Sequence, residues 1–278
     1  MSQNSHFKGG PADAIAFKMP ENFPFRSDQG FVYEAVISSR DQCEHSLTIK
    51  VASSEADCTA ARSLLNKQYA WRGYGDTHNI PAKPTYSTFT AFIDGKLVGT
   101  LTLGVDSSYG LEVDATFRGE LNTFRRVPGA KLCELTKFAF DTEIQSKAIL
   151  AAFFHFIFIY GEYRYNCTNL FIEVNPRHRR FYESMLGFDR IGGLKQNGDV
   201  KAPSQLMQLK VAQIRAQLEE LSFSSNTVGE RSLYPFFLSS NVERQILRQM
   251  ELGGLKATGS SHCVMPVMEQ PQHNSLAA

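Results

Sequence analysis

Excess charge of either sign is missing from this sequence: 29 basic and 28 acidic side chains over 278 residues leave a formal net charge of +1. The bulk attraction to nucleic acid or to an anionic membrane is therefore absent, and a charge-driven partner must be met by a local patch. Long apolar runs are missing too. The most apolar stretch, Ile149 to Tyr160, is interrupted by His155 and is shorter than the roughly 18 consecutive apolar residues of a membrane span. It reads as a buried helix, with no transmembrane span expected. The first twenty residues contain no apolar core of a secretory signal, so a cytoplasmic location is expected. Five cysteines (Cys43, Cys58, Cys133, Cys167 and Cys263) are scattered, with no C-x-x-C and no Cys/His pairing at metal-ligand spacing. They read as reduced thiols, and no metal site is expected.

What is present is apolar material for a real core, 42% of the residues. Ser46 to Val51 reads as a strand. Ser54, with Asp57 three residues on, opens a helix carrying Ala61, Leu64, Leu65 and Tyr69 at helical spacing and ending near Gly73. Tyr86 to Ile93 and Leu97 to Val105 flank Asp94-Gly95, which predicts a hairpin. Leu132 to Phe140 is a third strand, Ser146 starts the apolar helix, and Asn169 to Val174 is another strand. Asn175 and Pro176 then open a helix as N-cap and N1, Gly187 ends it, and Ser204 to Val211 is a last strand. This order predicts an α/β layer architecture rather than an all-β one. Gln213 to Leu221 and Val242 to Leu252 read as helices of a C-terminal extension packed on the main domain. The expected organisation is a mobile segment over 1–45, a domain over 46–211, the extension over 212–252 and a mobile tail over 253–278.

Four groups of residues could carry chemistry. The strand LCELTKFAF places Glu134 and Lys137 in an apolar run, where an ionisable group is costly unless paired or used. Strict alternation sets Glu134 with Leu132 and Thr136, and Lys137 on the other face with Cys133 and Leu135; only a bulge brings the two together. Glu134 can accept a proton from an amine, or can be a buried carboxylate satisfied by an arginine. The segment VNPRHRRFYESMLGF starts a helix with Arg177, His178, Arg179 and Arg180, which opposes the helix dipole and suits an anion, or is a solvated face over Phe181, Met185 and Phe188. Tyr182 on that helix can supply a proton to a departing thiolate, or can simply pack. At the end of the first helix, Tyr69, Trp71, Arg72 and Tyr74 crowd beside Asp76, as a carboxylate clamp and acyl wall or as a helix end packed on the sheet. Cys133 as a nucleophile has nothing basic near it except Lys137.

These motifs, in this order, resemble the GNAT acyltransferases over roughly Ser46 to Val211. The resemblance rests on TFTAFIDGKLVGTLTL, CELTKFAF, the apolar helix and FIEVNPRHRRFYESMLGF. It implies a three-layer fold with a central mixed sheet. A GNAT that uses acyl-coenzyme A carries a glycine-rich loop before the apolar helix for the pyrophosphate; here DTEIQSKAIL has no glycine. LLNKQYAWRGYG, followed by a long connection into CELTKFAFD, is similar to the acyl-homoserine-lactone synthases, which take acyl chains from acyl carrier protein. Glu134 falls on their strand glutamate, Lys137 on the arginine of that motif, and Tyr69 and Arg72 near their first-helix aromatic and arginine. Their third-strand arginine has no equivalent in Val98-Gly99-Thr100-Leu101-Thr102.

With the NPRHRRFYESMLGF helix included, the sequence most resembles the bacterial long-chain N-acyl amino acid synthases. That implies transfer of a long acyl chain from the phosphopantetheine arm of acyl carrier protein to the α-amine of an amino acid, with no other cofactor. Glu134 is the expected general base, Lys137 or Arg72 the carboxylate partner and Tyr182 the acid. Tyr69, Trp71, Asp76, Phe138, Phe153 and Phe154 are expected to line the substrate, together with Phe156 and Phe158 or aromatics near Phe117 and Phe124. Acyl carrier protein is expected to dock on Lys147, Arg177, Arg179 and Arg180. The rival readings are an acyl-homoserine-lactone synthase, an acyl-coenzyme A acyltransferase, and a silent binding module in which a salt bridge seals Glu134.

Overall fold

Alternation of apolar and polar side chains along the strands builds one sheet with two buried faces. A computed structural model of the chain describes residues 17–18, 31–38, 43–144, 146–223 and 231–253. Nine strands, β1 (Phe17–Lys18), β2 (Val32–Ser38), β3 (Glu44–Val51), β4 (Tyr86–Ile93), β5 (Lys96–Val105), β6 (Leu132–Phe140), β7 (Asn169–Val174), β8 (Asp189–Asn197) and β9 (Ala202–Lys210), are ordered β1-β2-β3-β4-β5-β6-β7-β9-β8. Every neighbouring pair is antiparallel except β6 and β7. The helices are α1 (Glu55–Trp71), α2 (Asp114–Arg125), α3 (Lys147–Tyr165), α4 (Arg179–Leu186), α5 (Val211–Phe223) and α6 (Ser240–Leu252).

Helices cover both faces, which makes three layers. On one side α1 sets Leu64 and Leu65 against Ala139, and α2 sets Phe117 and Leu121 against Leu132, Phe171 and Leu206. On the other, α3 fills the larger core over Cys133, Leu135, Leu170 and Ile172. Residues Ala151 to Gly161 of α3 are buried without a break. A helix apolar all round must be covered all round. Here the second cover is the C-terminal extension: the Leu238 amide donates to His155 Nδ1 at 3.0 Å, and Arg215 of α5 joins Glu162 of α3 to Glu243 of α6.

The predicted starts and stops have physical counterparts. Ser54 accepts the Asp57 amide, Ser146 accepts the Ile149 amide, and Gly187 takes the left-handed φ of 75° that ends α4. Asn175 caps through the Arg177 amide, but the turn it opens, Pro176–His178, is a 3₁₀ turn and the α-helix starts only at Arg179.

Three expectations are corrected. The segment before residue 46 is not wholly a mobile arm, because β2 and β3 lie in the sheet with Phe31, Tyr33, Ala35 and Ile37 buried on alternate positions. Apart from β1, which pairs with β2, the rest of that segment lies outside the described residues, as does the tail after Gly253. The connection between β5 and β6 contains α2, and β8 pairs with β9 as an outer strand. Finally, Cys133 and Cys167 form a disulfide that ties the start of β6 to the residue after the C-cap of α3, so these two are not reduced thiols. No helix among the described residues is long and apolar enough to cross a membrane.

Candidate active site

The parallel strands β6 and β7 pair over only three rungs, Leu132 with Asn169, Cys133 with Leu170 and Glu134 with Phe171. Beyond Glu134 they part. β6 remains registered on β5, while the edge of Leu135 to Phe140 that faces β7 is unpaired. Glu134 thus sits at the vertex of a splay, and the C-terminal ends of both strands open on the same side.

Glu134 is 2% exposed and touches no cation. Its Oε1 accepts from the Tyr86 hydroxyl and, at 2.6 Å, from the Glu112 amide; its Oε2 accepts from the Val113 amide at 2.9 Å. The arrangement depends on a glycine. Tyr86, Gly104 and Glu134 are laterally aligned on β4, β5 and β6, and a Cβ on Gly104 would stand 2.5 Å from the Tyr86 ring and 3.1 Å from Glu134 Cγ. Without that side chain the tyrosine ring lies across the middle strand and its hydroxyl reaches the third. Burial raises the Glu134 carboxyl above its ordinary value, and the three hydrogen bonds oppose that rise by favouring the ionised form.

The two amide donors come from the entrance of α2, which is fixed from below. Arg125 holds Asp106 through Nε at 2.7 Å and Asp114 through Nη1 and Nη2, both at 2.7 Å. Asp114 in turn accepts the Leu111 amide at 2.8 Å. Burial works to raise the Asp114 carboxyl, but hydrogen bonds from Arg125 and Leu111 together with the arginine charge hold it below its ordinary value.

A bulge decides where Lys137 points. The β5–β6 register shifts between Thr100 and Thr102, and Lys137 has a φ of 53°. After this irregularity Phe138 and Phe140 face α3, 5.3 Å from Phe154 and 6.1 Å from Phe153 between ring centroids, while Ala139 faces α1. Lys137 moves to the Glu134 side, where its Nζ lies 3.1 Å from Glu112 Oε2. Glu112 and Tyr86 are the site residues that sequence reasoning missed.

The end of α1 meets the start of α4 beside this cluster. Tyr69 packs edge-on against Tyr74 and His78, and Asn66 clamps His78 through both backbone atoms. Burial pushes the Tyr69 hydroxyl up to about 12, with Arg72 opposing and the charge of Glu112 adding to the rise. Tyr182 is also raised, first by burial and then by Tyr69, with Arg72 opposing. Tyr69 therefore lies within electrostatic reach of Arg72, Tyr182 and Glu112. Arg72 donates through Nη1 to Gln68 Oε1 at 3.1 Å and its carbonyl accepts from Arg177 Nη2 at 3.0 Å, while Arg177 lies over the Tyr74 ring.

Other expected residues are placed elsewhere. Trp71 is 74% exposed with the Arg72 guanidinium over its ring, and Asp76 is exposed in the following loop. Phe153, Phe154, Phe156 and Phe158 are closed-core residues on the α3 face of the sheet, opposite to Glu134. Phe117 and Phe124 lie on the α2 face. Arg179 turns back to the Pro176 carbonyl, Arg180 is exposed, and Lys147 lies over the Phe236 ring at the start of α3. Among the described residues no group of His, Cys, Asp and Glu is arranged to hold a metal.

Known proteins fit this geometry. The structure of FeeM, an N-acyl amino acid synthase from uncultured soil microbes, superposes with a TM-score of 0.54 at 29% identity, covering 61% of this chain and 93% of that one. Weaker likenesses are the acyl-homoserine-lactone synthase LasI, at 12% identity, 59% and 90% coverage and a TM-score of 0.45, and an N-acetyltransferase from Staphylococcus aureus Mu50, at 15% identity, 60% and 98% coverage and a TM-score of 0.39. No protein with a curated description matches. The family model for the N-acyl amino acid synthase FeeM matches residues 60–210, more than half of the chain. The splayed GNAT-like sheet, the vertex carboxylate and that match make this chain an acyltransferase belonging to the FeeM family of N-acyl amino acid synthases.

Proposed function

We propose that the enzyme transfers a long-chain acyl group from the phosphopantetheine thioester of acyl carrier protein to the α-amine of an amino acid, with Glu134 as general base. The position of this carboxylate at the last paired rung before β6 and β7 part carries the reading. A thioester entering the splay meets the unpaired edge of β6 and the Glu134 carboxylate at its vertex. An α-ammonium is mostly protonated at neutral pH and cannot attack. Glu134 takes its proton, directly or through one water. The amine nitrogen then bonds to the thioester carbon, and unpaired β6 amides stabilise the oxyanion. Collapse breaks the C–S bond, and the thiolate leaves toward Tyr182. With its hydroxyl raised by burial, Tyr182 keeps its proton and donates a hydrogen bond to the sulfur. The proton shed by the new amide nitrogen neutralises the thiolate.

The preference for carrier protein over coenzyme A is supported at the start of α3. The first-turn amide of Ile149 is already bonded to Ser146, and the preceding loop carries Asp141 and Glu143, paired with Lys96, with no glycine to let backbone amides close on a pyrophosphate. The silent-module reading requires a salt bridge on Glu134, and the partners of Glu134 are a hydroxyl and two amides. The purified enzyme supplied with one acyl chain on either donor and a panel of amino acids is expected to yield N-acyl amino acids by mass spectrometry, faster from carrier protein. Glu134→Gln is expected to lower turnover by about 10²- to 10⁴-fold without weakening acyl-donor binding. Activity of Glu134→Gln near wild type removes the base assignment, and equal use of both donors removes the carrier-protein preference.

A further inference from the structure

An ion pair beside the vertex carboxylate has no structural task equal to its cost. Lys137 is held at a φ of 53°, a left-handed conformation that a non-glycine residue adopts only at a cost. What that strain achieves is direction. Without the bulge the ammonium would point with Cys133 and Leu135 into the α3 core; with it, the ammonium stands 3.1 Å from Glu112. The pair is open to solvent in part, with side chains 17% and 31% exposed, whereas Glu134 just behind is closed. An ion pair open to solvent can exchange its partners for others of the same charge without leaving either charge unpaired.

We propose that Glu112 and Lys137 form the receptor for the zwitterionic head of the acceptor: the substrate carboxylate takes Lys137, the substrate ammonium takes Glu112, and their mutual ion pair is released. This rests on the function proposed above and narrows the acceptor to α-amino acids with both groups free. The geometry requires two opposite charges one carbon apart to meet two opposite charges in contact, which leaves no charge unpaired in the complex. It also delivers the ammonium to its base. The backbone amide of Glu112 is bonded to Glu134 Oε1, and the charge of Glu112 acts on the Glu134 carboxyl, so an ammonium held by the one lies within the field of the other. The charge of Glu112 also reaches the Tyr69 hydroxyl at the end of α1.

The test compares acceptors and variants under saturating acyl carrier protein donor. Wild type is expected to use an amino acid at least about tenfold better, in kcat/KM, than its carboxamide or the corresponding decarboxylated amine. Lys137→Met is expected to lose that discrimination, and Glu112→Gln to raise the acceptor KM about tenfold or more with the donor KM unchanged. Glu112→Gln keeps its backbone donor to Glu134, and thermal melts of each variant report on folding. The double exchange of Glu112→Lys with Lys137→Glu restores an ion pair of reversed polarity. It should recover the melting temperature but not the acceptor KM, because the zwitterion would have to bind backwards. Recovery of both, or a wild type indifferent to the substrate carboxylate, overturns the receptor while leaving the acyl transfer reaction standing. A wild type that acylates no amino acid overturns the proposed function and this receptor together.

Discussion

At Glu134 two effects act in opposite directions on one carboxyl. Burial favours the proton and three donors favour its loss. Tyr86→Phe removes one donor and leaves the ring lying over Gly104. The lost hydrogen bond had favoured the ionised form, so its removal raises the Glu134 carboxyl further, and the base form is populated only at higher pH. The acid limb of the kcat/KM profile is therefore expected to move to higher pH, with about a 10- to 100-fold loss below it and a much smaller one on the plateau, in line with a charge-assisted hydrogen bond. A profile that stays in place while activity falls uniformly would show that Tyr86 serves packing alone. Glu134 itself was legible in the sequence as an ionisable group in an apolar strand. Tyr86 and Glu112 were not, because they lie 48 and 22 residues away and join it only through register and the entry of α2. The trace that existed was Gly104, a glycine inside a strand, which marks a close approach. Lys137 was placed on the wrong face because alternation fails at a bulge.

Elements with strong punctuation were read nearly to their ends, since Ser54, Asp94-Gly95, Ser146 and Gly187 each satisfy or terminate specific backbone groups. Those without it were missed. α2 has Val113 as its cap with no side-chain bond, and its anchor is the distant Arg125 fork. β8 is an outer strand whose consecutive Gly192 and Gly193 hide its pattern. The basic start of α4 contains two kinds of arginine. Arg177 is built into the junction with α1, against the Arg72 carbonyl and the Tyr74 ring, so its replacement disturbs the wall of the site. Arg179 and Arg180 follow the 3₁₀ turn, and no acidic side chain claims them by hydrogen bond or ion pair among the described residues. Arg179→Glu with Arg180→Glu is therefore the cleaner probe of carrier-protein docking. It is expected to raise the KM for acyl carrier protein about tenfold or more at low salt with little change in kcat, and the difference from wild type should shrink as salt rises past 0.1 M. A double variant with unchanged carrier-protein KM would move the docking surface elsewhere.

The whole molecule depends on its N-terminal strands more than composition suggested. FVYEAVIS holds a period of two, but the Gly, Pro and charge before it and the short length conceal the pattern. Phe31, Tyr33, Ala35 and Ile37 face α3, and Phe31 stacks on Phe156 at 4.8 Å with Tyr33 at 6.1 Å from the same ring. Fully burying a large apolar side chain contributes about 1.5–3 kcal/mol. Three such residues and an alanine therefore supply an amount comparable with the roughly 5–15 kcal/mol that holds a whole domain. Their loss has a second consequence. β3 becomes an edge, with Leu47 and Ile49 uncovered on one face and unpaired backbone groups along its side, a template for aggregation. Deletion of residues 1–38 is therefore expected to give an insoluble chain or one without a cooperative melt, although no residue of the active site is touched. Tyr33→Ala with Ile37→Ala, which keeps the strand and removes its anchors, should lower the melting temperature by more than about 10 °C while the KM values for both substrates at low temperature stay within about twofold. A truncated chain that melts sharply within a few degrees of the full one would show that α3 is held by the sheet from β3 onward and by the C-terminal extension alone.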